Sequence, residues 1–155
     1  MDVISQKIIL FIVLFFGFNA FSSTMEVCLE SAKKRTHVLD QHIAIEDCFQ
    51  ANLDRLSAQQ CFSYAKQLNK NKKFYDLSET LNTLCFYSTS TFNDVKSCIA
   101  GSRNFAIADN HDEAVFDCYK QFQNTLSQKQ CIELSRQLIY PAKKDYLFQH
   151  CQSNP

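Results

Sequence analysis

Two residue types in this chain carry spacings that bear on chemistry: eight cysteines and four histidines. The cysteines are Cys28, Cys48, Cys61, Cys85, Cys98, Cys118, Cys131 and Cys151, separated by 20, 13, 24, 13, 20, 13 and 20 positions. A structural zinc site draws on close pairs such as Cys-x-x-Cys. No two cysteines here are nearer than 13 positions, so disulfides are expected and metal ligation is not. With all eight assigned to bridges, no thiol is left as a nucleophile.

The histidines are His37, His42, His111 and His150. A helical zinc protease places two histidines four apart with a glutamate between them. His37 and His42 are five apart, and His111-Asp112-Glu113 has no second histidine at that spacing. A secreted phospholipase sets a His-Asp pair beside adjacent cysteines and a glycine-rich calcium loop, but this chain has only Gly17 and Gly101. It also has no Gly-x-Ser-x-Gly elbow and no phosphate loop. The histidines are therefore expected in solvated loops. No catalytic, cofactor-binding or metal-binding residue is assigned, and the chain is not expected to be an enzyme.

Disulfides persist where the environment is oxidising, and the N-terminus offers a route there. Lys7 precedes an apolar run over 8–18, followed by Ala20-Phe21-Ser22. This pattern predicts a signal peptide over 1–22, cleaved after Ser22. The run is about half of the ~20 residues that a membrane span needs, so no stable span is expected after cleavage. The localisation expected is secreted or periplasmic. The chain has 16 basic and 16 acidic residues, a balance that argues against a nucleic-acid binder. Two glycines and two prolines are too few turn residues for a sandwich or barrel.

The elements that must hold the cysteines follow from an internal periodicity. A shift of 70 residues lays Asp47-Cys48-Phe49 on Asp117-Cys118-Tyr119, and Gln60-Cys61 on Gln130-Cys131. A shorter period of 33 to 37 residues aligns the pattern cysteine, apolar, any, any, small, basic. It starts at Cys28, Cys61, Cys98 and Cys131. Four residues ahead of these cysteines stand Thr24, Ser57, Asp94 and Ser127, all suited to capping a helix N-terminus. Ser57 with Gln60 and Ser127 with Gln130 fit a capping box. Each cysteine then lies one turn into a helix, with the small residue four positions on sharing its face. The second cysteine of each unit ends a second helical run. Polar connectors are expected between the runs, among them Leu39-Asp40-Gln41, Asn69-Lys70-Asn71-Lys72-Lys73 and Ala108-Asp109-Asn110.

The fold expected is all-α: four disulfide-stapled helical hairpins in one repeat domain over 23–155, solenoid-like or a compact bundle. The units run approximately over 24–56, 57–93, 94–126 and 127–155. An early residue of one helix faces a late residue of its antiparallel partner. The pairs expected are therefore Cys28–Cys48, Cys61–Cys85, Cys98–Cys118 and Cys131–Cys151. Pairing across the 13-residue steps is the main rival, and it leaves Cys28 and Cys151 over.

Two surface features stand out. Cations gather after the first helix of each unit and acids at the start of the second, which helix dipoles favour. If stacking aligns the hairpin tips, Lys70, Lys72 and Lys73 project furthest towards a charged partner. Phe86, Tyr87 and Phe92 form the densest aromatic group, as packing between units or as a binding patch. The function expected is a protein-interaction or envelope-binding module whose partner is another protein or a cell-envelope component. The alternative is a helical carrier of a small hydrophobic ligand.

Overall fold

A computed structural model describes residues 25–70, 72–88 and 92–153, apart from the Lys72 side chain. The signal segment 1–22 and the Thr24 cap lie outside the described residues. Among these residues are eight α-helices: α1 Met25–Lys33, α2 Val38–Asn52, α3 Ala58–Asn69, α4 Tyr75–Ser88, α5 Val95–Ser102, α6 Ala108–Phe122, α7 Gln128–Ser135 and α8 Pro141–Ser153. Short 3-10 turns at Leu53–Arg55 and Lys72–Phe74 precede α3 and α4.

The helices begin where local chemistry directs. The Ser57 hydroxyl accepts from the Gln60 amide and the Gln60 side chain answers at the Ser57 amide, closing a capping box. Ser127 and Gln130 repeat it at α7. At α5 the box is Asp94 with Ser97, a pairing outside the usual Ser/Thr–Glu/Gln pattern. Pro141 is the first residue of α8, where its missing N–H costs nothing.

Four disulfides join the two helices of each hairpin: Cys28–Cys48, Cys61–Cys85, Cys98–Cys118 and Cys131–Cys151. No free cysteine remains. Cα separations of 5.5–5.7 Å require the two helices to approach closely. The small residues four positions after each first cysteine permit this. Ala32, Ala65, Ser102 and Ser135 are all buried, and the two serines turn their hydroxyls onto carbonyls three residues back.

The connectors are shorter than the sequence suggests. Leu39-Asp40-Gln41 and Ala108-Asp109-Asn110 lie inside α2 and α6. Asp40 and Asp109 sit in first turns, where a carboxylate favours the helix N-terminus, so the second helices start about one turn early. His37, exposed in the turn before α2, meets the expectation of solvated loop histidines. The other three depart from it. His42 lies within α2. His111 is buried on α6, and His150 on α8 lies against the rings of Tyr119 and Tyr146.

Internal contacts divide the chain into two compact units, 1–48 and 49–155, with the boundary in the last turns of α2. In the first, Met25, Leu29, Ala32 and Ile45 are buried around the Cys28–Cys48 bridge. The Gln41 amide donates to the carbonyls of Lys33 and Arg35 and closes the end of α1.

In the second unit, three hairpins are linked by a recurring clasp. The Glu79 carboxylate of α4 accepts from the backbone amides of Ala106 and Ile107 and from the Asn110 side chain. The Asp112 carboxylate of α6 accepts from the amides of Ile139 (2.7 Å) and Tyr140 (3.0 Å). Both acids lie six residues before the second cysteine of their hairpin, and both bind the amides that precede the next hairpin's second helix. Packing follows the same line. Phe86 meets Phe105, Phe116 meets Tyr146, and Tyr119 meets His150, with ring centroids 5.6–6.2 Å apart. Asp112 is fully buried. Burial alone would raise its pKa, but the two amides and His111 (Nδ1–Oδ1 3.2 Å) outweigh that and hold the carboxyl below the usual aspartate value.

Two predictions follow from this framework. Each bridge closes a loop of 20–24 residues, a constraint worth about 3 kcal/mol in the chain-entropy model. Net stability is about 10 kcal/mol for a typical domain, so reducing all four should lower Tm by tens of degrees in calorimetry. The second concerns Asp112. Its folded pKa is depressed, so its stabilisation is complete above the unfolded value of about 4 and vanishes as pH falls through the folded value. Asp112→Asn should cost about 2–3 kcal/mol at neutral pH, more than Glu79→Gln at its half-exposed site. Urea titrations from neutral to acid pH should show the Asp112→Asn deficit shrinking as the parent carboxyl protonates.

Candidate functional site

An open cleft of about 650 Å³ runs between α3 and α5. Phe62 and Phe92 supply its aromatic surface. On the α3 side, Gln59, Ser63 and Lys66 recur at i, i+4 and i+7, so they share one helix face. All three are exposed, and their side chains make no hydrogen bond or ion pair with the described residues. Lys66 is the one charged residue in the lining. The α5 side is formed by Ser97, Ala100 and Gly101, with Asn104 beyond them. The polar groups on this side are occupied: Ser97 bonds Asp94, and the Asn104 amide donates to the carbonyls of Ala100 and Gly101.

Gly101 shapes the cleft. A Cβ built there would lie 2.8 Å from Cζ of Phe92 and 3.3 Å from Phe86. The bare helix surface lets the Phe92 ring lie against α5 and meet the Phe86 ring in a tilted contact, with centroids 5.0 Å apart. The Phe92 carbonyl is held by the Gln121 side chain. The aromatic group expected from the sequence thus divides. Phe86 is buried in packing, while Phe92 is half-exposed and lines the cleft. Tyr87 is exposed, and its hydroxyl donates to Asp117 at 2.8 Å. Partial desolvation of the phenol and the hydrogen bond to the Asp117 carboxylate both push its pKa upward.

The lysines expected to project lie at the tip of the second hairpin. Lys70 caps the end of α3, and the Lys73 ammonium sits 5.9 Å from the Phe74 ring centre. Lys72 opens the short turn before α4. From sequence, Glu79 and Asp112 read only as acids at the start of second helices, and Lys66 only as the basic residue of the repeat pattern. Counting back six from each second cysteine gives His42, Glu79, Asp112 and Asp145, and that offset was the signal available.

No group of three or more metal-ligating side chains converges among the described residues, and none of their helices is long and apolar enough to cross a membrane. The four intramolecular disulfides fit an oxidising, extracellular environment. No family model, curated protein or solved structure matches this chain.

The position of Gly101 yields a direct expectation. Gly101→Ala gains up to about 1 kcal/mol in helix propensity, offset by displacement of the Phe92 ring. Stability should stay close to the parent, while the Phe92 ring resonances in NMR move as the ring is driven into the cleft.

Proposed function

We propose that the protein is an exported, disulfide-stapled array of helical repeat units that works as a binding module. Its α3/α5 cleft seats an extended segment of a partner protein. The observation that carries this is the cleft wall itself. Gln59, Ser63 and Lys66 offer unused hydrogen-bonding groups in a row beside the apolar surfaces of Phe62 and Phe92. A peptide backbone supplies acceptors for such a row, and one apolar side chain of the peptide fills the aromatic floor. Lys66, the one charged residue of the lining, favours an acidic residue in the bound segment. Export rests on the predicted signal peptide over 1–22 and on the eight bridged cysteines.

A displayed library of random peptides, selected against the oxidised protein, tests this reading. Apolar–acidic sequences should be enriched. Phe92→Ala and Lys66→Glu should each weaken the selected peptides about tenfold by calorimetric titration. Enrichment of no peptide, or affinities untouched by both variants, would refute the module. Saturable one-to-one binding of a hydrophobic dye, displaced by no peptide, would favour the carrier alternative.

A further inference from the structure

A second surface, distinct from the cleft, runs along the tips of the hairpins in residues 49–155. Each tip exposes large apolar side chains: Tyr75 in the second hairpin (57%), Ile107 in the third (51%), and Ile139 and Tyr140 in the fourth (52% and 40%). These side chains are neighbours because of the clasp. Glu79, one turn into α4 from Tyr75, holds the amide of Ile107, and Asp112, one turn into α6 from Ile107, holds those of Ile139 and Tyr140. The residue that ends each first helix on this edge is basic: Lys70, Arg103 and Arg136. Lys73 and the pair Lys143 and Lys144 add to them in the second and fourth hairpins. Arg103 donates to Gln137 and Arg136 pairs with Glu133 at 3.0 Å. This leaves Lys70 and Lys144 as the cations of this edge without a side-chain hydrogen bond or ion pair among the described residues. The acids of the same turns are largely engaged. Glu79 and Asp112 are bound by amides, and Asp109 pairs with Lys143 at 3.1 Å. Asp76 and Asp145 remain exposed. In the other compact unit, the tip of the first hairpin has the same composition, with Lys33, Lys34 and Arg35 beside exposed Val38 and Leu39.

We infer that this edge docks on an anionic lipid bilayer. Single apolar side chains alternate with long cations here. A protein interface concentrates its apolar residues in a core depleted of lysine. A bilayer interface accepts the alternating pattern. Isoleucine enters the acyl boundary, tyrosine rests at the headgroups, and lysine and arginine extend their charged ends to the phosphates. The Lys143 ammonium over the Tyr140 ring, at 5.2 Å, shows the two kinds of group already side by side. Each cation near an anionic surface adds about fivefold in affinity. The chain would lie on the membrane through its tips, with the cleft set back from the lipid along the helices.

Flotation of the full, oxidised chain with lipid vesicles tests the inference. Binding is expected to vesicles containing phosphatidylglycerol, to be weakened by salt, and to be absent with phosphatidylcholine alone. Tyr75→Ser with Ile107→Ser and Tyr140→Ser should lower the affinity at least tenfold. Lys70→Gln with Lys144→Gln should lower it roughly 25-fold. All five positions are at the surface, and an unchanged thermal melt confirms that the variants fold. Lys96→Gln with Lys129→Gln, in the first turns of α5 and α7 at the opposite end of the helices, should leave binding unchanged. Three results would each overturn the inference: no flotation with anionic vesicles, equal losses from the opposite-end variants, or binding indifferent to the apolar substitutions. Peptide selection by the cleft is read out separately, so either surface can fail while the other stands.

Discussion

The structure depends first on the cystine that ties the start of one helix to the end of the next. A hairpin of 33 to 37 residues buries too little apolar surface to hold its two helices together. The bridge supplies what the core cannot, and it does so by geometry. The first cysteine stands one turn inside its helix because a capping residue four positions earlier starts the helix there. An alanine or serine one turn further lets the second helix come within reach of the sulfur. Cap, cysteine and small residue therefore act as one unit. Losing the cap would shift the helix start, and a larger residue would hold the backbones apart.

A second constraint joins the hairpins. Backbone amides that precede a second helix have no partner within that helix, and burial without one is costly. Glu79 and Asp112 answer this from the neighbouring hairpin. Asp112 does so while fully buried, a placement tolerable for a carboxylate only because two amides and His111 surround it. The clasp also sets which side chains the hairpin tips present together. The exposed edge of isoleucines, tyrosines and cations is thus a consequence of how the hairpins stack.

The cleft depends on a glycine in α5 and on an aromatic residue in the connector before it. Phe92 from that connector lines the cleft between α3 and α5. Gly101 gives that ring its place. At the corresponding positions after the other first cysteines stand Ser31, Tyr64 and Leu134, none of which would leave the helix surface bare.

The cysteine register, the capping residues and the scarcity of glycine and proline determined the helical class, the hairpins and the four bridges. These are local or periodic properties, and a 20-residue step between two capped, periodic runs leaves little freedom in pairing. The early start of the second helices was open to misreading, because polar residues in a first turn look like a connector until the dipole they complement is in place. Asp112 reads from sequence as one more helix-start acid, and its role as a buried clasp appears only when the next hairpin brings the amides of Ile139 and Tyr140 to it. The separation of Phe86 into the core from Phe92 in the cleft likewise depended on where the helices crossed. Spacing along a chain determines which face of a helix a side chain occupies, whereas what that face meets is decided by the neighbouring hairpin, whose residues lie some thirty positions away.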